Sequence, residues 1–374
     1  MNVITAYSEK TSYEECVKEI KEQFGSVIPK LILFFASSHI NPYFISDEIQ
    51  NAFPKTPTFG CTTAGELISG KMLKNSLVAM AFTENVIEDF KAVVITNLPK
   101  TTSKNYQQAG DIFEKHFGKK FSEMDLKKYV GIVLADGLSK SEEKMMEEIG
   151  MLSNVLFIGG SAGDDLKFEN TYVYGVGKAY TNAAILILLK PAAGFDIIKT
   201  QSFRETGKIL TATSVDEKNR TVIDFDGKPA AEAYAEVFGA SEETASQLFM
   251  TNPLGLMVDD EPYVRSPQQI QDKNMIFYCN IKEGMELSIL ESGDIIHDTQ
   301  NALDDKINEM GEIAALINFN CILRTLELDN KNLSGEYGQI FSGIPTIGFS
   351  TYGEQYIGHI NQTATILAFK AKQD

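Results

Sequence analysis

Apolar positions along this chain of 374 residues follow two periods. In SYEECVKEIKEQFG, Tyr13, Val17, Ile20 and Phe24 recur at helical spacing, Ser12 and Glu15 have capping-box spacing, and Gly25 supplies a stop. SKNYQQAGDIFEKHFG repeats the pattern, with Tyr106, Ala109, Phe113 and Phe117 on one face. Three continuous apolar runs, KLILFFAS, YVGIVLADG and EIAALINFNC, read instead as strands buried on both faces. Each is followed by a crossover, a second apolar strand, a short polar turn and a further strand (SLVAMAF, NAAILILL, TATILAF). The expected fold class is α/β with an α+β tendency: two domains of mixed β-sheets flanked by helices, with an internally repeated β-turn-β unit.

The polar turn has the same form three times, a hydroxyl, any residue, glycine, then an acid: Thr63 to Glu66, Ser161 to Asp164 and Thr351 to Glu354. This predicts an internal repeat of domain scale, the first two copies in an N-terminal domain and the third in a C-terminal one. RTVIDFDGKPAAEAYAEVFG reads as a strand, a DG turn and a helix with Pro229 in its first turn and Gly239 at its end. The domains are therefore expected at 1–218 and 219–374.

The net charge of −17 disfavours nucleic acid and anionic membrane as partners, because binding to phosphate depends on Lys and Arg. The longest apolar stretch, AAILILLKPAAGF, is broken by Lys190 and Pro191, so neither a transmembrane helix nor a signal peptide is expected. Cys16, Cys61, Cys279 and Cys321 lie far apart, as reduced thiols of a cytoplasmic protein would, and no spacing suggests zinc.

Each polar turn has a plain structural role available: glycine supplies positive φ while hydroxyl and carboxylate satisfy backbone N–H groups. The alternative is a ligand site in which strand ends present Thr62, Thr63, Gly65, Glu66, Ser161, Gly163, Asp164, Gly353 and Glu354 to a small polar molecule. Gly159 to Gly163 also matches the G-x-S-x-G nucleophile elbow, but the segment after Ser161 reads as turn and strand where the elbow needs a helix, which disfavours a hydrolase. Arg324 and Arg265 are candidate carboxylate forks, and Cys321, which ends the strand before Arg324, is a further candidate ligand contact, against the simpler readings of surface ion pairs and a buried thiol. His359, in YIGHINQT, is the candidate axial haem ligand among four scattered histidines.

FGCTTAGE, IGGSAGDD and the strand after them resemble the N-terminal half of the FIST domain, a bacterial and archaeal sensory module. FDGKPAAEAY, PYVR, NCILR and IGFSTYGE followed by HINQTATILAF resemble its C-terminal half, so the similarity runs through nearly the whole chain from about residue 28. The resemblance implies a sensory protein, not an enzyme, that binds a small polar molecule, an amino acid being the usual suggestion, and reports to a separate signalling protein. It also implies one alternative, a haem-dependent nitric-oxide sensor that regulates a histidine kinase, with His359 at a family position; apart from the resemblance, the acidic surface allows a ligand-independent signalling scaffold that docks a kinase, and an uncharacterised hydrolase is the last alternative. On the amino-acid reading, Glu66, Asp164 or Glu354 suits an ammonium, and Arg265 or Arg324 suits a carboxylate.

Overall fold

The structure is a computed structural model that describes residues 2–259 and 261–372. It forms two compact units: Met1–Thr200, Gln300–Gly358 and Ala364–Asp374 make unit 1, and Gln201–Thr299 with His359–Thr363 make unit 2.

Unit 1 is one chain path run three times. The first copy is β1 (Val3–Ser8), α1 (Tyr13–Phe24), β2 (Leu31–Ser37), α2 (Pro42–Ala52), β3 (Thr58–Thr63), a hairpin of β4 (Glu66–Ile68) and β5 (Lys71–Leu73), then β6 (Leu77–Phe82). The second is β7 (Ile87–Thr96), α3 (Ser103–Phe117), β8 (Val130–Ala135), α4 (Glu142–Leu152), β9 (Phe157–Ser161), β10 (Val173–Gly175), β11 (Lys178–Tyr180) and β12 (Ala183–Pro191). The third opens with β13 (Phe195–Thr200) and is interrupted by unit 2. That insertion comprises β14 (Phe203–Asp216), β15 (Thr221–Phe225), β16 (Lys228–Pro229), α5 (Ala230–Phe238), α6 (Glu242–Ala245), β17 (Leu254–Val258), β18 (Glu261–Arg265), β19 (Pro267–Gln271), β20 (Asn274–Phe277) and β21 (Glu286–Ser292). The third copy then resumes as α7 (Ile295–Met310), β22 (Ile313–Cys321), α8 (Ile322–Asn330), α9 (Ser334–Ile340), β23 (Thr346–Thr351) and β24 (Glu354–Tyr356), and after β25 (His359–Ile360), which belongs to unit 2, it closes with β26 (Ala364–Lys370).

The expected elements form for the expected reasons. Ser12 accepts from the Glu15 amide at the head of α1, and Gly25 ends it at φ 62°. The apolar runs become β2, β8 and β22, each buried along its whole length.

The strands of unit 1 lie in three sheets, in the orders β1-β6-β2-β3-β10-β11, β7-β12-β8-β9-β24 and β13-β26-β22-β23-β4-β5. Each copy therefore sends the strand after its polar turn into another copy's sheet. β4 of the first pairs β23 of the third, β24 of the third pairs β9 of the second, and β10 of the second pairs β3 of the first. The exchange is cyclic, and the three sheets share one core in which Phe35 meets Phe349 at 4.6 Å and Phe82 meets Phe369 at 5.7 Å.

The third copy thus folds with the first two, where the sequence suggested a separate C-terminal domain. Unit 2 stands between β13 and α7, which hides the third copy's period. The division after residue 218 stays a proposal about sequence modules; it falls between β14 and β15, which pair. Unit 2 is a sheet of order β18-β17-β21-β14-β15-β20-β19 covered by α5, whose Tyr234 packs in a core with Phe225, Met275 and Leu287. Pro229 stands at the N-cap position of α5, just before the first turn in which the sequence placed it, and Gly239 ends the helix in the left-handed region.

Candidate functional site

The polar turns meet in a closed ring. The Ala64 amide donates to the Ser350 carbonyl (3.1 Å), Tyr352 to Ser161 (3.0 Å) and Gly163 to Thr62 (3.0 Å). Return bonds run from Ser350 to the Gly65 carbonyl (2.8 Å), from Ser161 to Gly353 (2.9 Å) and from Thr62 to Tyr172 (2.9 Å). The ring backbone is satisfied by itself, as buried backbone must be. Gly163 is required by close approach: a Cβ there would lie 2.8 Å from the Ala64 nitrogen and 2.9 Å from its Cβ.

These bonds also correct the register of the repeat. Ser161 occupies the position of Thr62 and Ser350, not that of Thr63 and Thr351, and Ala162 takes the place of Thr63 and Thr351. Glu66, Glu354 and Val173 head the exchanged strands and pair Phe349, Gly160 and Cys61. The acid of the second copy is thus not the counterpart of Glu66. Asp164 lies instead in an inserted strap between Gly163 and Tyr172. The clue in the sequence is length: Glu66 to Leu77 and Glu354 to Ala364 are short, whereas Asp164 to Ala183 is much longer.

The turn acids work inward. Glu66 is 1% exposed, bonded to the Thr63 hydroxyl and accepting from the Ser76 amide (3.0 Å) and hydroxyl (2.6 Å). Burial pushes its carboxyl up to about 8, against the pull of those hydrogen bonds. Thr351 and Glu354 repeat the pair, both fully buried. In the second copy the positions of Thr63, Glu66 and Ser76 hold Ala162, Val173 and Ala183, an apolar set. A buried polar pair exchanged as a whole for apolar groups costs little, which marks these pairs as scaffold.

The strap breaks the threefold pattern and builds a cleft of about 200 Å³ whose lining includes Ser38, Thr62, Asp164, Lys167, Glu169 and Tyr172. Asp165, Leu166 and Phe168 hold φ of 55°, 64° and 55°. For side chains of this size the left-handed region costs on the order of 1–3 kcal/mol each, so the strap must be over-determined by its contacts. Asp164 accepts from the amides of Phe168 (2.9 Å), Glu169 (2.7 Å) and Asn170 (2.9 Å) and from the Tyr352 hydroxyl. Tyr352 in turn accepts from the Leu166 amide at 2.8 Å and stacks on Phe168 at 4.9 Å. Burial, then the Asp164 carboxylate, drives the Tyr352 phenol well above its ordinary value. Asp165 accepts from Ser37 (3.1 Å) and Ser38 (2.6 Å), and the Lys167 ammonium donates to Ser38 at 3.2 Å. Lys167 and Glu169 are exposed, so the cleft offers both signs of charge at the carboxyl ends of the parallel strands β2 and β3.

Of the sequence candidates, the ring and strap bring together Thr62, Thr63, Gly65, Glu66, Ser161, Gly163, Asp164, Gly353 and Glu354, but only Thr62 and Asp164 line the cleft. Sequence reasoning does not single out Lys167, Glu169 or Ser38, which line it too. Arg324 is buried in α8, donating to Asn320 at 3.0 Å beside the Tyr337 ring; Asn320 holds Thr325, which bonds Ser350 of the ring at 2.7 Å. Cys321 is buried at the head of α8. Arg265 belongs to unit 2, where it donates to the His359 carbonyl at 3.2 Å. His359 is only 4% exposed, and axial ligation needs an open imidazole face beside an apolar slot, so the residue does not fit haem in this conformation. Ser161 accepts from Gln355 (3.0 Å) and lies 3.3 Å from Glu142, and the strap comes after it in place of the helix an elbow needs. Among the described residues, no helix is long and apolar enough to cross a membrane.

The FIST N domain family model matches residues 30–228 and the FIST C domain family model residues 230–357. An uncharacterized protein of Methanocaldococcus jannaschii is 21% identical over 313 residues, covering 78% of this chain and 59% of that protein. The chain therefore spans less than two thirds of that relative's length.

Proposed function

Because the chain belongs to the FIST family, whose domains are signal-sensing modules and not catalysts, we propose that it senses a small polar ligand, an amino acid or a similar zwitterion, in the strap cleft of unit 1. The observation that carries this reading is the cleft itself. A polar turn repeated three times is extended into a strap in one copy alone, and the strap lines a space of about 200 Å³ with an ammonium, carboxylates, hydroxyls and an aromatic ring. Such a space suits a molecule of amino-acid size, with charges of both signs to recognise its two ends. The ring beneath supplies rigidity, and Asp164 with Tyr352 fixes the strap to it.

Reporting requires that the ligand prefer one strap arrangement, since a ligand shifts an equilibrium only by its differential affinity. The output passes to a separate signalling protein such as a histidine kinase, and the setting is cytoplasmic. Thermal-shift and calorimetric screening of the full chain against the twenty amino acids tests the reading. A ligand at a hundred times its Kd adds about 2.7 kcal/mol of stability, and Glu169→Leu combined with Asn170→Leu, both at positions that line the cleft, should abolish the shift. Absence of stabilisation by every amino acid would refute it.

A further inference from the structure

We propose that residues 164–170 form a latch set by the ligand, with Lys167 reading a ligand carboxylate; this rests on the cleft being the ligand site. The latch has two kinds of fastening. Asp164 and Tyr352 bind its backbone to the ring from within. The outer fastening is lighter: the Asp165 carboxylate takes two hydroxyl donors from Ser37 and Ser38, and Lys167 donates to Ser38.

Three left-handed, non-glycine residues among four consecutive positions store the strain that makes a second arrangement accessible once the outer fastening is released. Leu166 to Asn170 are exposed, so the Phe168 ring on Tyr352 is the main apolar contact that opposes their movement. Lys167 donates to a neutral hydroxyl, a weaker partner for an ammonium than a carboxylate. A ligand carboxylate competes with Ser38 for Lys167 and holds the strap from the cleft side. An amine without a carboxylate lacks that contact. The neighbouring Glu169 carboxylate would accept a ligand ammonium, which orients the ligand with its carboxylate toward Lys167.

Amide exchange measured by mass spectrometry on the full chain separates the two parts. Asp165→Ala, and Ser38→Ala as a milder variant, should raise exchange across 166–171 by roughly tenfold while β2, β8 and β22 keep their protection. Unchanged exchange in the strap, or faster exchange throughout unit 1, would overturn the latch. L-alanine, L-glutamate and L-leucine are the probes for the second part, against amines lacking the carboxylate. At least one amino acid should slow strap exchange by roughly threefold, the amines should not, and Lys167→Gln should remove the protection at an unchanged Tm. Protection that survives Lys167→Gln, or that the amines equal, overturns the role of Lys167. If none of the three amino acids protects any segment but Asp165→Ala still frees the strap, the setting of the latch by an amino acid and the role of Lys167 fall together, and only the fastening through Asp165 stands.

Discussion

At neutral pH, burial favours the protonated form of Glu66, where an exposed glutamate is ionised. Its carboxyl is sealed against water, and the Thr63 and Ser76 hydrogen bonds do not offset the loss of solvation, so it titrates near 8 where the unfolded chain releases the proton near 4.5. Between those values the folded state binds more protons than the unfolded one. The stability this group supplies is therefore complete below about pH 4.5, falls as pH rises by on the order of 1 kcal/mol per unit, and levels off above about 8. Glu66→Gln keeps the shape and the acceptor without the ionisation. Urea unfolding at pH 5, 7 and 9 should show the variant losing less stability than the parent toward alkaline pH, by a few kcal/mol at most. Parallel curves for the two proteins would mean that Glu66 titrates as an ordinary carboxylate.

At the scale of elements, the unit of design is the set Thr63, Glu66 and Ser76, which the second copy replaces with Ala162, Val173 and Ala183. Thr63→Ala or Ser76→Ala alone strips a partner from a buried carboxyl and should cost about 1–3 kcal/mol. Joined with Glu66→Val in one triple variant, they should cost less than the sum of the three single changes by about 1–3 kcal/mol, measured by denaturant unfolding. Strict additivity would contradict the equivalence of the two sets. The same sets explain what the sequence can and cannot show. Helical and strand periods are legible at α1, α3, β2, β8 and β22 because each buries a continuous face. The triple turn is legible as a repeat, yet its second copy reads one residue out of register, because Ser161-Ala162-Gly163-Asp164 imitates a pattern whose true counterpart ends at Val173 after the strap. Lys167 and Glu169 are invisible for another reason: exposed charges in a polar stretch look like solvated surface until the fold sets them around a space.

Across unit 1, cyclic exchange makes each copy's stability a property of all three. Every sheet contains strands from two copies, and the core between the sheets joins Phe35 and Phe82 of the first, Ile132 and Ile187 of the second, and Phe319, Phe349 and Phe369 of the third. A copy cannot open without stripping a strand from a neighbour, and the ring bonds link Thr62, Ser161 and Ser350 in the same closed sense. Local failure should therefore spread through unit 1. Phe349 is fully buried against Phe35 and Phe319, and truncating it to alanine should remove about 3–5 kcal/mol. Under native conditions, hydrogen exchange in β2, β8 and β22 of Phe349→Ala should accelerate together and by similar factors, although only β22 belongs to the mutated copy. Acceleration confined to β22 and β23 would show that the copies open independently. In that case the strap could not draw on the rigidity of the whole ring, and a ligand in the cleft would have only the first two copies to act upon.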